Sequence, residues 1–428
     1  MTSNNRDAGT NKDAGTNSDA DSGTSGAIVS QNQITAAIVA GCLVSFVGFG
    51  FAATFGVFLR PMSMELGWPR EVFSLSLALQ ALFWGLTQPL AGMVADKYGS
   101  ARVLAFGAII SALGFFLRGT LFDPTIFILS GIVVGIGTGA CSFPVVIIAL
   151  GKIVSARQRS FILGLGTAAA STGMFVAAPL SQYLLANGGW QLAVHVIAAS
   201  FLLILPFLYF IGRLSRPSIG KNSSGSIGFA MKMAFSDRAY VLLFAGFFVC
   251  GFHVSFIQIH LPSYIADRGL ATSVGGWSLA LIGLFNIMGS FLSGWSGQVF
   301  SKKKVLAGIY FARAVVITIF ILMPFTPMTV YVFSAAMGLL WLSTVPLTTG
   351  LVAQTQGLTF LSTLAGFVFF SHQTGSFLGA WLGGLIYDIY QDYTPMWIAA
   401  ILLGLMATLL HLPIRETPGK LAVSEAAP

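Results

Sequence analysis

Apolar residues in this chain come in long runs, not in strict alternation. Twelve runs stand out, at about 34–59, 72–95, 103–121, 125–150, 161–186, 190–212, 239–265, 275–298, 305–323, 329–350, 358–386 and 395–413. A helix needs about 20 predominantly apolar residues to cross the hydrocarbon core of a bilayer, so each run predicts one membrane-spanning helix. Period-2 alternation is absent, which argues against a membrane β-barrel. The pattern predicts an all-α integral membrane protein of twelve transmembrane helices. It divides as six spans, a polar Ser/Gly/Lys segment at 213–238, and six more spans. Residues 1–30 repeat Asp-Ala-Gly-Thr-Asn at a six-residue spacing. A segment of that composition cannot bury enough apolar surface to fold, and it has no basic stretch beside a short apolar core, as a signal peptide would.

One polar turn organises the first half. Gly92, Asp96, Gly99 and Arg102 form a compact charged hinge between the second and third runs. A worn copy recurs at Gly294-Trp-Ser-Gly-Gln298 and Lys302-Lys303-Lys304, 202 residues later. The same offset pairs Gly67 with Gly269, Pro144 with Pro346, Gly164 with Gly366, and Gly173 with Gly375. Prolines are sparse, so a proline pair in register weighs more than a glycine pair. The repeat predicts two homologous, pseudo-symmetric six-helix bundles, 31–212 and 239–414. They are joined by the 213–238 linker and flanked by tails at 1–30 and 415–428.

Composition sharpens this. Only 8% of the 428 residues are charged and 55% are hydrophobic, far below the roughly one-quarter charged share of a soluble domain. The formal charge of +8 does not point to nucleic acid, because the bases cluster in short loops on alternate sides of the spans. With the N-terminus cytoplasmic, seventeen Lys and Arg fall on the cytoplasmic side. Four, Arg60, Arg70, Arg118 and Arg268, fall on the other, and Arg313 lies inside a span. That bias places both termini in the cytoplasm. Cys42, Cys141 and Cys250 all lie in apolar runs, a pattern without a disulfide framework or a zinc site. No phosphate-binding loop supports ATP-driven pumping, and no Ser/His/acid set supports an enzyme. No cofactor, metal ion or nucleic-acid partner is expected. The expected partners are a small-molecule solute and the lipid bilayer, with the chain acting as a monomer in a bacterial-type inner (plasma) membrane.

The Gly92–Arg102 stretch resembles the loop signature of the major facilitator superfamily, G-x-x-x-D-x-x-G-x-x-[RK]. With the twelve-span pattern, this makes the chain similar to that superfamily over about 34–413. The resemblance implies that Asp96 and Arg102 help hold the cytoplasmic side shut in one conformation. Further motifs resemble the bacterial relatives of monocarboxylate and oxalate/formate carriers. These are Phe55-Gly-Val-Phe58 running into Pro61, Gly67-Trp68-Pro-Arg70, Gly173 with Pro179, Gly189-Trp190, Asn286-Ile-Met-Gly289, and Ser371-His372-Gln373-Thr-Gly375. Those carriers usually place a carboxylate-binding arginine directly after the Asn-x-x-Gly of the eighth span; here that place is Ser290, whose hydroxyl cannot neutralise an anion. The family fold also makes the ninth span, which carries Arg313, peripheral.

Polar groups at membrane depth are costly and are therefore functional candidates. On the seventh span His253, Phe256 and His260 share a helical face, and Phe51, Thr54 and Phe58 occupy the matching positions of the first. By the family fold these faces line an aromatic pocket. His260, followed by Leu261 and Pro262, is a candidate for proton coupling, because histidine titrates near neutral pH. It is equally readable as a hydrogen-bonded packing residue, and for His253 and His195 the packing role is expected. His372, Gln373 and Ser376 cluster on the eleventh span, and Asn286 with Ser290 share a face of the eighth. For Arg313 a structural role is expected. No acid sits mid-span: Asp388 lies near the outer end of the eleventh and Glu71 at the start of the second. The expected function is secondary transport of a small organic solute by alternating access. A monocarboxylate-like anion is the first candidate. The alternatives are a neutral or zwitterionic aromatic, vitamin-like solute (riboflavin-like, for example) and multidrug-type efflux.

Overall fold

The structure is a computed structural model that describes residues 31–142, 145–146, 150, 156–214, 227–357 and 360–418. The expected tail at 1–30, the middle of the linker and Pro144 lie outside the described residues. Within them the chain is helical, and nine stretches are long and apolar enough to cross a membrane. Span 1 is Gln31–Thr54 continued by a 3-10 turn, Phe55–Phe58, and a helix Leu59–Leu66. Spans 2 and 3 are Arg70–Tyr98 and Ser100–Thr120, and the described helix of span 4 is Pro124–Ala140. Spans 5 and 6 are one helical stretch, Ala156–Leu203, broken at Gly189 (φ 77°), and span 6 runs on to Leu208–Leu214. In the second half, spans 7, 8 and 9 are Arg238–Asp267, Thr272–Val299 and Lys302–Leu322. Span 10 is in two pieces, Pro327–Leu340 and Thr344–Gln356. Spans 11 and 12 are Leu361–Tyr390 and Thr394–His411.

Two boundaries differ from the sequence reading. The linker is not wholly irregular: it contains the helix Ile227–Phe235, whose Ala230 and Ala234 are buried. Small residues on one side of a short helix let it lie close against its neighbours, here spans 7 and 11. Span 10 is interrupted at Trp341–Ser343, where a continuous run had been expected. The carbonyls and amides freed by the break are satisfied from outside, as backbone at membrane depth must be. Arg313 donates to the carbonyls of Leu340 and Trp341, Asn286 Oδ1 accepts from Leu342 N (3.0 Å), and Ser293 donates to Ser343 O.

The 202-residue repeat reappears as repeated contacts. A Cβ on Gly173 would collide with the carbonyl oxygen of Phe46, and one on Gly375 with that of Phe248. Phe46 and Phe248 are themselves 202 apart. A Cβ on Gly164 would lie 3.6 Å from Phe291, and one on Gly366 3.8 Å from Pro89, again a matched pair. Gly67 and Gly269 both end their helices with positive φ, 67° and 84°, a conformation glycine adopts without a Cβ penalty. Within the first half span 1 packs on span 5 and span 2 on span 4. Between halves, span 2 packs along span 11 and span 5 along span 8. Among the described residues, the helix ends at Gln31 and His411 lie on the same face as the ends of spans 2 and 8, and the odd-numbered junctions lie on the opposite face.

Candidate functional site

The two halves are clamped together on the face opposite the termini. Span 2 begins Pro69-Arg70-Glu71 and has no capping side chain of its own. Its first amides would be orphaned in a poorly hydrated seam. They are capped from the other half: Asp388, at the end of span 11, accepts from Arg70 N (3.0 Å) and Glu71 N (2.7 Å). An acid at a helix N-terminus is also favoured by the helix dipole. The Arg70 side chain, 8% exposed, makes a bidentate pair with Asp267 at 2.6 and 2.8 Å and lies 3.5 Å over the Tyr387 ring. Arg60 adds a second contact to Asp267 (3.1 Å), and Trp381 Nε1 donates to Glu71 (2.9 Å). Every one of these contacts joins a residue of the first half to one of the second.

The latch is wired to His260. Arg70 Nη1 donates to the Tyr393 oxygen (2.8 Å), and that oxygen lies 3.2 Å from His260 Nδ1. Burial pushes the Tyr393 phenol up, so it carries its proton at neutral pH. His260 Nε2 is 2.8 Å from the Ala380 carbonyl, which can only accept. Nε2 therefore holds the ring proton, and Nδ1 accepts from the Tyr393 hydroxyl. The mid-level seam is bridged differently. Asn286 on span 8 donates to Ser171 on span 5 (2.9 Å), and Ser290 sits 3.5 Å from Asn286 Oδ1. On the other seam Trp84 of span 2 meets Phe369 of span 11, with ring centroids 6.1 Å apart.

Residues 41–370 match the family model of the Major Facilitator Superfamily. The chain belongs to that superfamily. It is similar over most of its length to a MFS-type transporter, YcxA of Bacillus subtilis, with 24% identity covering 86% of this chain and 91% of the relative. It is also similar to monocarboxylate transporter 13 of Rattus norvegicus, at 24% identity covering 92% and 90%. The hexuronate transporter of Bacillus subtilis is 23% identical, covering 79% and 84%. The protein is therefore an integral membrane transporter for a small-molecule substrate, built on the superfamily's two six-helix bundles, and not an enzyme.

The Gly92–Arg102 turn of this superfamily member joins the ends of spans 2 and 3. Gly99 joins spans 2 and 3 alone, at φ 95°, and exposed Arg102 donates to Tyr98 O (3.2 Å), capping the end of span 2. A Cβ on Gly92 would meet nothing within 4 Å. Asp96 lies in span 2, and its side chain is outside the described set. Gly99→Val is expected to strain this one-residue turn and to lower the yield of folded protein severalfold, read by size-exclusion chromatography; unchanged yield would contradict the argument.

The structure does not bring the two expected aromatic faces into one pocket. Thr54 is fully buried and donates to Gly50 O (3.1 Å), and Phe51 is buried in the core. The 3-10 turn after Thr54 advances the helix by about 20° more per residue than an α-helix does. Phe58 consequently joins Phe55 (5.0 Å between centroids) in a cluster inside the first half. Phe256 packs on Trp397 (4.8 Å) inside the second. Spans 1 and 7 meet by backbone instead, since a Cβ on Gly56 would collide with Gln258 O. Ser376 bonds to Gly251 O (3.2 Å) and not to Gln373, whose Oε1 faces His372 Nδ1 (3.1 Å). His253 contacts Ala400 O (2.7 Å), and His195 contacts the Thr120 hydroxyl (3.1 Å).

Arg118 is corrected from a loop base to a buried one, 1% exposed, bonded to Ser130, Gln80 and Ser76 at 3.0 Å each. The sequence reading also left Arg70, Asp267 and Tyr393 unconnected. The legible signal was a span beginning at Pro69 without a capping side chain, on the face whose loops carry Glu65, Glu71, Asp123, Asp267, Asp388 and Asp392. Two surface grooves, one around Ala314 and Leu405 and one around Asn32 and Arg213, lie on the flanks and touch neither seam.

Proposed function

We propose that this superfamily member carries a small organic solute by alternating access, and that its latch is the outer gate, shut in this structure. The carrying observation is the Arg70–Asp267–Asp388 clamp, which binds the halves together on the face opposite the described chain ends. The charge bias of the loops supports a cytoplasmic location for both termini in a plasma membrane, and so an outer location for the clamp. The relatives' names support a monocarboxylate-like anion as solute. A neutral or zwitterionic solute is favoured by Ser290, which stands where those carriers hold an arginine.

His260 couples the clamp to protons in this reading. In the shut state its Nδ1 must accept from Tyr393. A protonated ring has a hydrogen there, and the Tyr393 oxygen already receives one from Arg70. Protonation therefore works against the shut state, and the open state binds the proton more tightly. The charged and titratable groups around this point are Arg70, Asp267, Asp388, Tyr387, Tyr393 and Tyr264. Lowering the external pH from 7.5 to 5.5 is expected to shift spin-label distances across the clamp toward the open population in the parent protein. His260→Gln keeps a polar side chain but cannot titrate, and it is expected to show no shift. An equal pH response in both would reject the coupling. Uptake of a solute panel into proteoliposomes, with and without an inward proton gradient, tests transport itself and separates anionic from neutral solutes.

A further inference from the structure

The seam between spans 2 and 11 holds polar groups that the clamp leaves unused. Gly85 makes room for Gln373: a Cβ there would lie 2.7 Å from Gln373 Cβ. Gln373 is 3% exposed, and its Nε2 has no protein partner. Its Oε1 faces His372 Nδ1, an arrangement in which Nδ1 holds the ring proton and donates to the amide oxygen. The NH2 end is left as a free donor. Trp84 Nε1, next to Gly85 in sequence, is a second buried donor without a partner, and Gln88 Oε1, one turn on, is an unpartnered acceptor. Aromatic faces from both halves enclose them. Phe49 stands 6.4 Å from Trp84, Trp84 6.1 Å from Phe369, and Phe369 stacks on His372 at 5.6 Å and 5°.

Charge is kept out of this place. Arg118 bonds to Ser76, Gln80 and Ser130 of its own half, and Arg313 lies inside the other half with its Nε and Nη2 on the span 10 break and its Nη1 without a protein partner. Among the described residues the remaining interhalf charges belong to the clamp. A carboxylate entering the seam would lose its water and meet the Trp84 and Gln373 donors with no described lysine or arginine beside them, which does not compensate the desolvation of a full charge. A carbonyl oxygen loses far less on entry and satisfies the same donors.

We propose that the span 2/span 11 seam is the solute site and that it takes an uncharged, planar molecule with carbonyl oxygens beside an N–H, a ring amide being the simplest case. This rests on the carrier reading above and chooses the neutral class within it. Trp84 and Gln373 read the carbonyl oxygens, Gln88 reads the N–H, and the rings of Phe49, Trp84 and Phe369 hold the plane.

The test is uptake of radiolabelled benzamide, nicotinamide, uracil and lumichrome against benzoate, nicotinate and lactate in proteoliposomes. At least one of the ring amides uracil and lumichrome is expected to move while the acids do not, and benzamide and nicotinamide are expected to be preferred over benzoate and nicotinate. Trp84→Phe keeps an aromatic face but removes the N–H donor together with the second ring, so the yield of folded protein is read by size-exclusion chromatography beside the transport kinetics. The substitution is expected to raise the KM for that amide about tenfold with little change in maximal rate. Preference for the acids, an unchanged KM in Trp84→Phe, or failure of every ring amide to move each overturns the proposal. The carrier reading is judged separately, by spin-label distances across the clamp: a clamp that opens while no ring amide moves removes the solute class and leaves the carrier.

Discussion

Arg70→Met is expected to release the clamp between the halves. The substitution keeps a long apolar stem over Tyr387 and removes the guanidinium, so Asp267 loses its bidentate partner and Tyr393 its donor. Breaking a buried pair by deleting one member costs about 3–5 kcal/mol. Asp267 is 19% exposed, so water relieves part of this and the lower end applies, about 3 kcal/mol. A shift of that size changes the shut-to-open ratio by roughly a hundredfold. Spin labels at the exposed Met64 and Asp392 positions, at the mouth of each half, are expected to move from one short distance to a predominantly long one. Asp267→Asn should act in the same direction and more weakly, because the amide retains one hydrogen bond to Arg70. A distance distribution unchanged in Arg70→Met would show that the clamp does not set the equilibrium.

Gly384→Leu is expected to do the same by wedging. Gly384 on span 11 packs so tightly on span 2 that a Cβ would overlap the Ser74 hydroxyl and lie 2.8 Å from Arg70 O. The obstacle is the fully buried Ser74 side chain, whose hydroxyl is bonded to Arg70 O, with that carbonyl itself behind it, and neither leaves room for a leucine. The halves must part for the leucine to fit. Because no contact within either bundle is touched, the bundles should fold and the far face should stay open. Transport is expected to fall at least about a hundredfold, since every cycle requires closure of that face. Solute binding from the outside should survive. Normal transport by Gly384→Leu would mean that the two spans do not close in this register during the cycle. The two variants reach one state by different routes, lost attraction and added repulsion, so agreement between them identifies the clamp and not a side effect of either change.

A smaller effect is expected at mid-membrane. Asn286→Leu removes the bond to Ser171 and leaves Leu342 N unpaired at the span 10 break. An unmade buried hydrogen bond costs about 1–3 kcal/mol. Thermal unfolding in detergent should shift down by several degrees; an unaltered transition would show that the break does not depend on Asn286.

Much of the architecture was legible because bilayer crossing leaves a one-dimensional mark. Length and hydropathy of a run suffice to declare a span, and the 202-residue offset declared the duplication before any contact was known. The same offset even carried spatial content, since Gly173 and Gly375 meet Phe46 and Phe248. Single residues were less legible. His253, Phe256 and His260 share a face as spacing required, yet what the face meets is set by the 3-10 turn in span 1 and by packing against span 12. Helical spacing says which side chains point together and nothing about which helix stands opposite. Arg118 illustrates the same limit: near a span end it counts as a loop base, until Ser76, Gln80 and Ser130 are found beside it.

What the sequence determined by itself is the class of molecule, its twelve crossings, its twofold repeat and the hinge at Gly92–Arg102, because each follows from transfer of apolar runs into lipid or from local backbone chemistry. What only the tertiary structure decided is which polar groups meet across the halves. Arg70 and Asp267 are 197 residues apart, and Asp388 caps a helix 318 residues before it. No local rule pairs residues at such separations; the packing of one bundle on the other does.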